Sequence, residues 1–303
     1  MGHGASCSCS RTAPWSPYAP EAFACFDRAE ALAAGMVEPV VLDPVRVAVA
    51  GALGHQEELE RTPVANGDAG SDPRVAVCVD FAEQFVVDVS GVTDEQRAAL
   101  GRAMGADTAV FVQALYVVDV FQRGRLALER FFAAPYPPPS APATGDLWAT
   151  LEEFMRIVAR GDALDPVTTE LVRLRGARAH QCRICQSRLS LRAVEAAGGE
   201  ELFTTDDASL TDRQQAALDL ADAVIWQPST IDAALAARVR AHLTDAEIVE
   251  IVLDLVRNAA NKVAVSLGGD AAVVTDGLEF YDIDATGEVV ADVDRELVRA
   301  ATT

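Results

Sequence analysis

Apolar residues recur every three or four positions along most of the chain, the spacing of amphipathic helices, and polar breaks separate the runs. The first two patterns run around Phe26 to Met36 and from Val45 to Leu53. Asp43-Pro44 opens the second, a capping side chain followed by a residue with no N–H to satisfy. The stretch RTPVANGDAGSD (61 to 72) is a loop by its Gly, Pro, Asn and Asp content. Helices are predicted over 73 to 88 and 94 to 104, then a long apolar one over 106 to 132. Past it, Asp165-Pro166 starts a helix whose buried stripe is Val167, Leu171 and Leu174. A second stripe, Cys185, Leu189, Ala193 and Val194, predicts a further helix ending at Gly198-Gly199. Helices over 211 to 226, 232 to 243 and 245 to 267 complete the pattern. Only the tail VVTDGLEFYDIDATGEVV alternates as a strand does, around an Asp-Ala-Thr-Gly turn, and predicts a small C-terminal hairpin. The fold class is all-α.

The pattern repeats within the chain. Residues 74 to 128, moved along by 139 positions, overlie 213 to 267 without a gap. Asp80 meets Asp219, Ser90 meets Ser229 and Leu128 meets Leu267, while Val92 with Ile231 and Met104 with Leu243 keep the apolar positions in phase. Upstream the offset is 125, and His55-Gln56 meets His180-Gln181. Constant register at low identity is what two copies of one helical unit would show. The expected organisation is an N-terminal arm (1–22), a first repeat (23–134), the Pro-rich linker PYPPPSAPATG (135–145), a second repeat (146–270) and a tail (271–303). Cys7 and Cys9 lie in the arm, which Trp15 and Tyr18 would anchor on a neighbouring surface.

With half of its 303 residues hydrophobic, the chain can bury a sizeable core. The net charge of −21 argues against a nucleic-acid partner, which needs clustered positive charge. The basic residues are nearly all arginine, and Lys262 is the one lysine. Absence of a long uncharged apolar run predicts no membrane span, and absence of a basic, apolar leader predicts a cytoplasmic protein. Cysteines there are normally reduced, so a Cys-x-x-Cys pair is expected to be catalytic or metal-binding rather than a structural staple.

Cys182 and Cys185 form that pair, in the predicted first turn of the helix after His180-Gln181. The thiolate is the nucleophile, and a helix N-terminus with Arg178 and Arg183 nearby would favour it. Two cysteines at this spacing share a helix face, so one can attack while the other resolves the product as a disulfide. Inert packing of two small side chains is a second reading. A zinc site is a third, but no second ligand pair stands elsewhere at convincing spacing, and no metal or cofactor is expected. The first repeat has no cysteine from 26 to 77 and cannot carry the same chemistry.

A lone acid, Glu170, stands twelve positions before Cys182, and a long apolar helix, LTDAEIVEIVLDLVRNAANKVAVSLG (243 to 268), follows. This arrangement resembles the carboxymuconolactone decarboxylase family in its alkyl hydroperoxidase D-like branch, well over 147 to 270 and more faintly over 40 to 132. The resemblance implies two tandem all-α units, the first degenerate, in a homo-oligomer with the active site near subunit contacts. It also implies Cys185 as the peroxidatic thiol, Cys182 as the resolving thiol and Glu170 as the start of a proton relay. The implied activity is hydroperoxide reduction or dithiol–disulfide exchange with a small dithiol or a protein thiol. The family pattern places a histidine four residues after the second cysteine, where this chain has Leu189. His180 is the candidate replacement. A non-catalytic member acting in assembly or ligand binding, and a decarboxylase or isomerase of a cyclic organic acid, are the alternative readings.

Overall fold

The computed structural model describes residues 13–62, 72–136, 143–204 and 210–291. Cys7, Cys9 and most of the Pro-rich linker lie outside the described residues. The first half runs α1 (Pro20–Met36), α2 (Pro39–Leu53), α3 (Gln56–Arg61), α4 (Pro73–Val87), α5 (Asp94–Met104), α6 (Thr108–Tyr116) and α7 (Gln122–Phe132). A five-residue π-helical turn, Val117–Phe121, joins α6 to α7. The second half begins with α8 (Leu147–Ala159), α9 (Pro166–Ala179), α10 (Arg183–Gln186), β1 (Arg188–Ser190), α11 (Leu191–Ala197) and α12 (Glu201–Thr204). It continues with α13 (Asp212–Trp226), α14 (Ala233–Arg240), α15 (Asp245–Asn258) and α16 (Asn261–Ser266), and closes with β2 (Glu279–Ile283) and β3 (Val289–Ala291). The fold is all-α with a small sheet at its C-terminal end.

Caps explain where the helices begin. Thr93, Thr211 and Thr244 each accept from the N–H three residues on, and Gln96, Gln214 and Glu247 reach back to the capping N–H. Asp165 accepts from Thr168 N ahead of Pro166, as its sequence requires. Pro44 differs from expectation: it lies inside α2, which starts at Pro39.

Elements recur at the sequence offset. α13 stands 139 positions after α4, α14 starts 139 after α5, and α16 starts 139 after α7. Both halves contribute to one apolar cluster. At its centre the Phe121 ring lies 4.3 Å from that of Phe26 and 5.3 Å from that of Phe154, and Tyr116 donates to Val256 O at 2.8 Å. Gly124 permits the close approach of α7 to α15, since a Cβ there would meet Val256 Cγ2 at 2.8 Å. Each buried phenylalanine contributes roughly 2–3 kcal/mol by area.

Three features depart from the sequence expectation. Trp15 anchors as expected, fully buried against Phe132 and Tyr136, but Tyr18 does not share that role and is exposed. The helix predicted through Leu189 is interrupted: Arg188–Ser190 is a strand pairing parallel to β2, which pairs antiparallel to β3. Leu189 fits a helical stripe but is claimed by a strand about ninety residues downstream, Leu189 opposite Phe280. Finally, the helical run Asp94–Phe132 is apolar and long enough to cross a membrane by length and composition. More than half of its most apolar window (56%) is buried inside the protein, which fits the core helix of a soluble protein.

Candidate functional site

α9 ends at Ala179, and Gln181 adopts a left-handed φ of 50° that turns the chain back. Cys182 N donates to Ala177 O at 3.0 Å, closing the turn. Cys182 thereby becomes the N-cap of α10, its sulfur accepting from Cys185 N at 3.3 Å. Asp270 covers the same helix end: its carboxylate accepts from Arg183 N at 3.0 Å and its carbonyl from Ile184 N at 3.1 Å. Cys182 is buried and Cys185 half-buried, and both are free thiols.

Asn261, the first residue of α16, donates Nδ2–H to Cys185 Sγ at 3.3 Å. Its Oδ1 lies 3.2 Å from His180 Nδ1, so the neutral ring donates there with Nδ1 protonated. The Cys182 thiol, hydrogen-bonded to its neighbour, lowers the pKa of Cys185 to about 7. Burial opposes that shift, while the Asn261 amide and the charges of Arg173 and Arg188 reinforce it. The same thiol–thiol bond, with burial, holds Cys182 protonated well above the ordinary range. The shared hydrogen bond thus favours the thiolate at Cys185 and the protonated thiol at Cys182.

Glu170 is buried close by but bonds neither sulfur. It accepts from Arg173 Nε at 2.8 Å and Nη2 at 2.6 Å, from Tyr281 OH at 2.8 Å and from Ser190 N at 3.1 Å. Arg173 in turn donates to Cys185 O at 2.9 Å and Arg188 O at 2.8 Å. Glu170 therefore reaches the cysteine turn through Arg173, which pins its backbone. The cations that act on Cys185 are Arg173 and Arg188; of the two named from sequence, Arg183 pairs with Asp270 and interacts electrostatically with Cys182, and Arg178 donates to Phe203 O.

His180 touches Asn261 rather than a sulfur. Burial pushes its pKa down to about 3, with Lys262 and Arg123 adding to the effect, so the ring is neutral at physiological pH. Lys262 is itself buried, paired with Asp119 beside the Phe85 ring, and Arg123 holds the other Asp119 oxygen at 2.6 Å. Burial lowers the Lys262 pKa to about 8, Asp119 resisting. Arg123 and Lys262 lie 139 positions apart, the offset at which the helices recur.

In the first half His55 matches His180 and Gln122 matches Asn261, but exposed Glu57 and Glu60 stand at the thiol positions. His55 Nε2 lies 3.4 Å from Glu129 Oε2 instead. Among the described residues, no group of three or more His, Cys, Asp or Glu side chains is placed to hold a metal ion. Sequence reasoning missed Asn261, Asp270, Arg188 and Tyr281. Asn261 lay within the closing-helix phrase, next to the one lysine, but without a signal linking it to a sulfur.

The site and fold together describe an all-α protein with two neighbouring free cysteines at the start of a short helix. Two proteins of Mycobacterium tuberculosis, "Uncharacterized protein MT2376" from strain CDC 1551 / Oshkosh and "Uncharacterized protein Rv2313c" from strain H37Rv, are similar to it. Each is 44% identical over 230 residues, covering 72% of this chain and 81% of the relative. The chain belongs to the same family as these mycobacterial proteins. No family model matches the chain. No solved structure matches it either.

Proposed function

We propose that the chain is a thiol-dependent oxidoreductase of the alkyl hydroperoxidase D-like kind, with Cys185 as attacking thiol and Cys182 as resolving thiol. The observation that carries this reading is the half-buried Cys185 sulfur, which receives the Asn261 amide and the Cys182 thiol while its own pKa falls to about 7. A thiolate of that pKa combines substantial ionisation at neutral pH with retained nucleophilicity.

In disulfide exchange, Cys185 attacks one sulfur of a substrate disulfide and expels the other as a thiolate. Cys182 then gives up its proton and attacks Cys185, releasing the second substrate thiol and leaving the 182–185 disulfide. With a hydroperoxide, Cys185 takes the terminal oxygen, an alcohol leaves, and Cys182 converts the sulfenic acid to the disulfide with loss of water. A dithiol or protein thiol restores the reduced pair in either case. Leu189 in place of the family histidine and the neutral His180 leave no strong base beside the sulfurs, which favours exchange over peroxide reduction. Assembly as a homo-oligomer is part of the same reading.

The test compares native chain with Cys185→Ser in stopped-flow hydroperoxide reduction and in disulfide exchange. The expected result is loss of rate in the variant, at least in exchange. Equal rates in both assays would remove the proposal.

A further inference from the structure

A cavity of about 650 Å³, lined in part by Glu170 and Arg173, opens between the start of α9, the second half of α15 and the C-terminal hairpin. Its wall includes Asp254, Arg257, Glu250 and Arg192. Asp254 is only 3% exposed and makes no hydrogen bond or ion pair with any described residue. A carboxylate held this way is costly, and burial pushes its pKa up to about 7, with Arg257 opposing. Glu250, one helical turn away, is already engaged by Ala163 N at 2.7 Å and Leu164 N at 3.2 Å. Arg257 uses Nε on Met155 O at 3.0 Å and Nη1 on Asn258 Oδ1 at 3.4 Å, which leaves Nη2 free among the described residues. Arg192 is exposed at the rim and makes no hydrogen bond with a described residue.

The cavity therefore offers an acceptor without a donor at Asp254, with guanidinium donors unused one turn further along α15 at Arg257 and at the rim at Arg192. A purely anionic ligand would face Asp254 and Glu250, and a purely cationic one would face Arg257 and Arg192. We propose that this cavity binds a free α-amino acid, its ammonium group on Asp254 and its carboxylate on Arg257 and Arg192. Buried polar groups with unmet hydrogen bonds inside an open cavity are where ligand specificity concentrates, because an analogue lacking the complementary group leaves them unpaired. The volume suits an amino acid of any side chain, so the side chain is selected by the remaining wall. The inference does not rest on the thiol chemistry.

Ligand-observed NMR of the full-length chain with pools of the twenty amino acids tests it. Saturable binding is expected for at least one. Asp254→Asn and Arg257→Met should each weaken that binding at least tenfold, with folding checked by circular dichroism. Arg192→Ala, a surface change that leaves the fold alone, should weaken it severalfold. The matching decarboxylated amine and the N-acetylated amino acid should each bind at least tenfold more weakly. Absence of saturable binding throughout would overturn the proposal, as would full-strength binding by either analogue or by folded Asp254→Asn and Arg192→Ala.

Discussion

Asn261 and Cys185, 76 positions apart in the chain, meet with the amide N–H of one directed at the sulfur of the other, 3.3 Å away. A donor to a thiolate stabilises its charged form, so removing the donor raises the thiol pKa. A hydrogen bond to a charged group contributes about 1.5–3 kcal/mol, equivalent to roughly one or two pH units. Asn261→Ala should move the midpoint for Cys185 alkylation upward by about that amount, read from iodoacetamide rates across pH.

Glu170 serves a different purpose in this arrangement. Its carboxylate is filled by Arg173, Tyr281 and Ser190, so Glu170→Gln breaks a buried ion pair without touching a sulfur. Removing one partner of such a pair costs about 3–5 kcal/mol. Urea denaturation should show a loss of that order, while the Cys185 alkylation midpoint shifts less than in Asn261→Ala. A Glu170 acting as the direct proton acceptor would give the reverse pattern.

Lys262 provides a probe inside the protein, since it is the one lysine in the sequence. Its folded-state pKa, lowered to about 8, lies below the ordinary 10.5. Between these values the unfolded chain binds a proton that the folded chain has released, so this group's contribution to stability rises with pH from about 8 to 10.5. Chain labelled with ¹⁵N-lysine should give a side-chain Nζ signal that titrates near pH 8 in the folded protein. A midpoint at 10 or above would contradict the burial argument.

Asp254 has the opposite sign. Its pKa is raised from 3.8 to about 7, so the folded state holds a proton that the unfolded state has lost, and stability falls as pH rises from about 4 to 7. Asp254→Asn mimics the protonated form. It should be more stable than the native chain at pH 8, by up to about 4 kcal/mol, with the difference vanishing near pH 4. Paired urea titrations at the two pH values decide this. Such a gain on removing a buried acid is common where the acid is kept for binding.

Much of the fold was legible because its signals are local. Asp165-Pro166 and the apolar phase of Val167, Leu171 and Leu174 require only neighbouring residues, and α9 begins where they indicate. α5 and the helix after Thr211 follow the same logic. What escaped depends on distant chain. Leu189 reads as helix until the tail strand arrives to pair with it. Tyr281 comes back on that strand to reach Glu170, and Asn261 reaches Cys185 from the start of α16. The cysteine pair itself was visible as a spacing, but which sulfur is covered and which half-open depends on Cys182 capping α10. The roles of Glu170 and His180 were named by chemical type alone, and their actual partners, Arg173 and Asn261, set what each can do.

The most direct test of the thiolate account is alkylation of the reduced native chain across pH 5 to 10, with each modified peptide identified by mass. The account predicts that Cys185 reacts first, with a midpoint near pH 7, and that Cys182 reacts only when the chain is unfolded. Slow reaction of both thiols with midpoints at or above the ordinary cysteine value, or reaction of Cys182 ahead of Cys185, would contradict it.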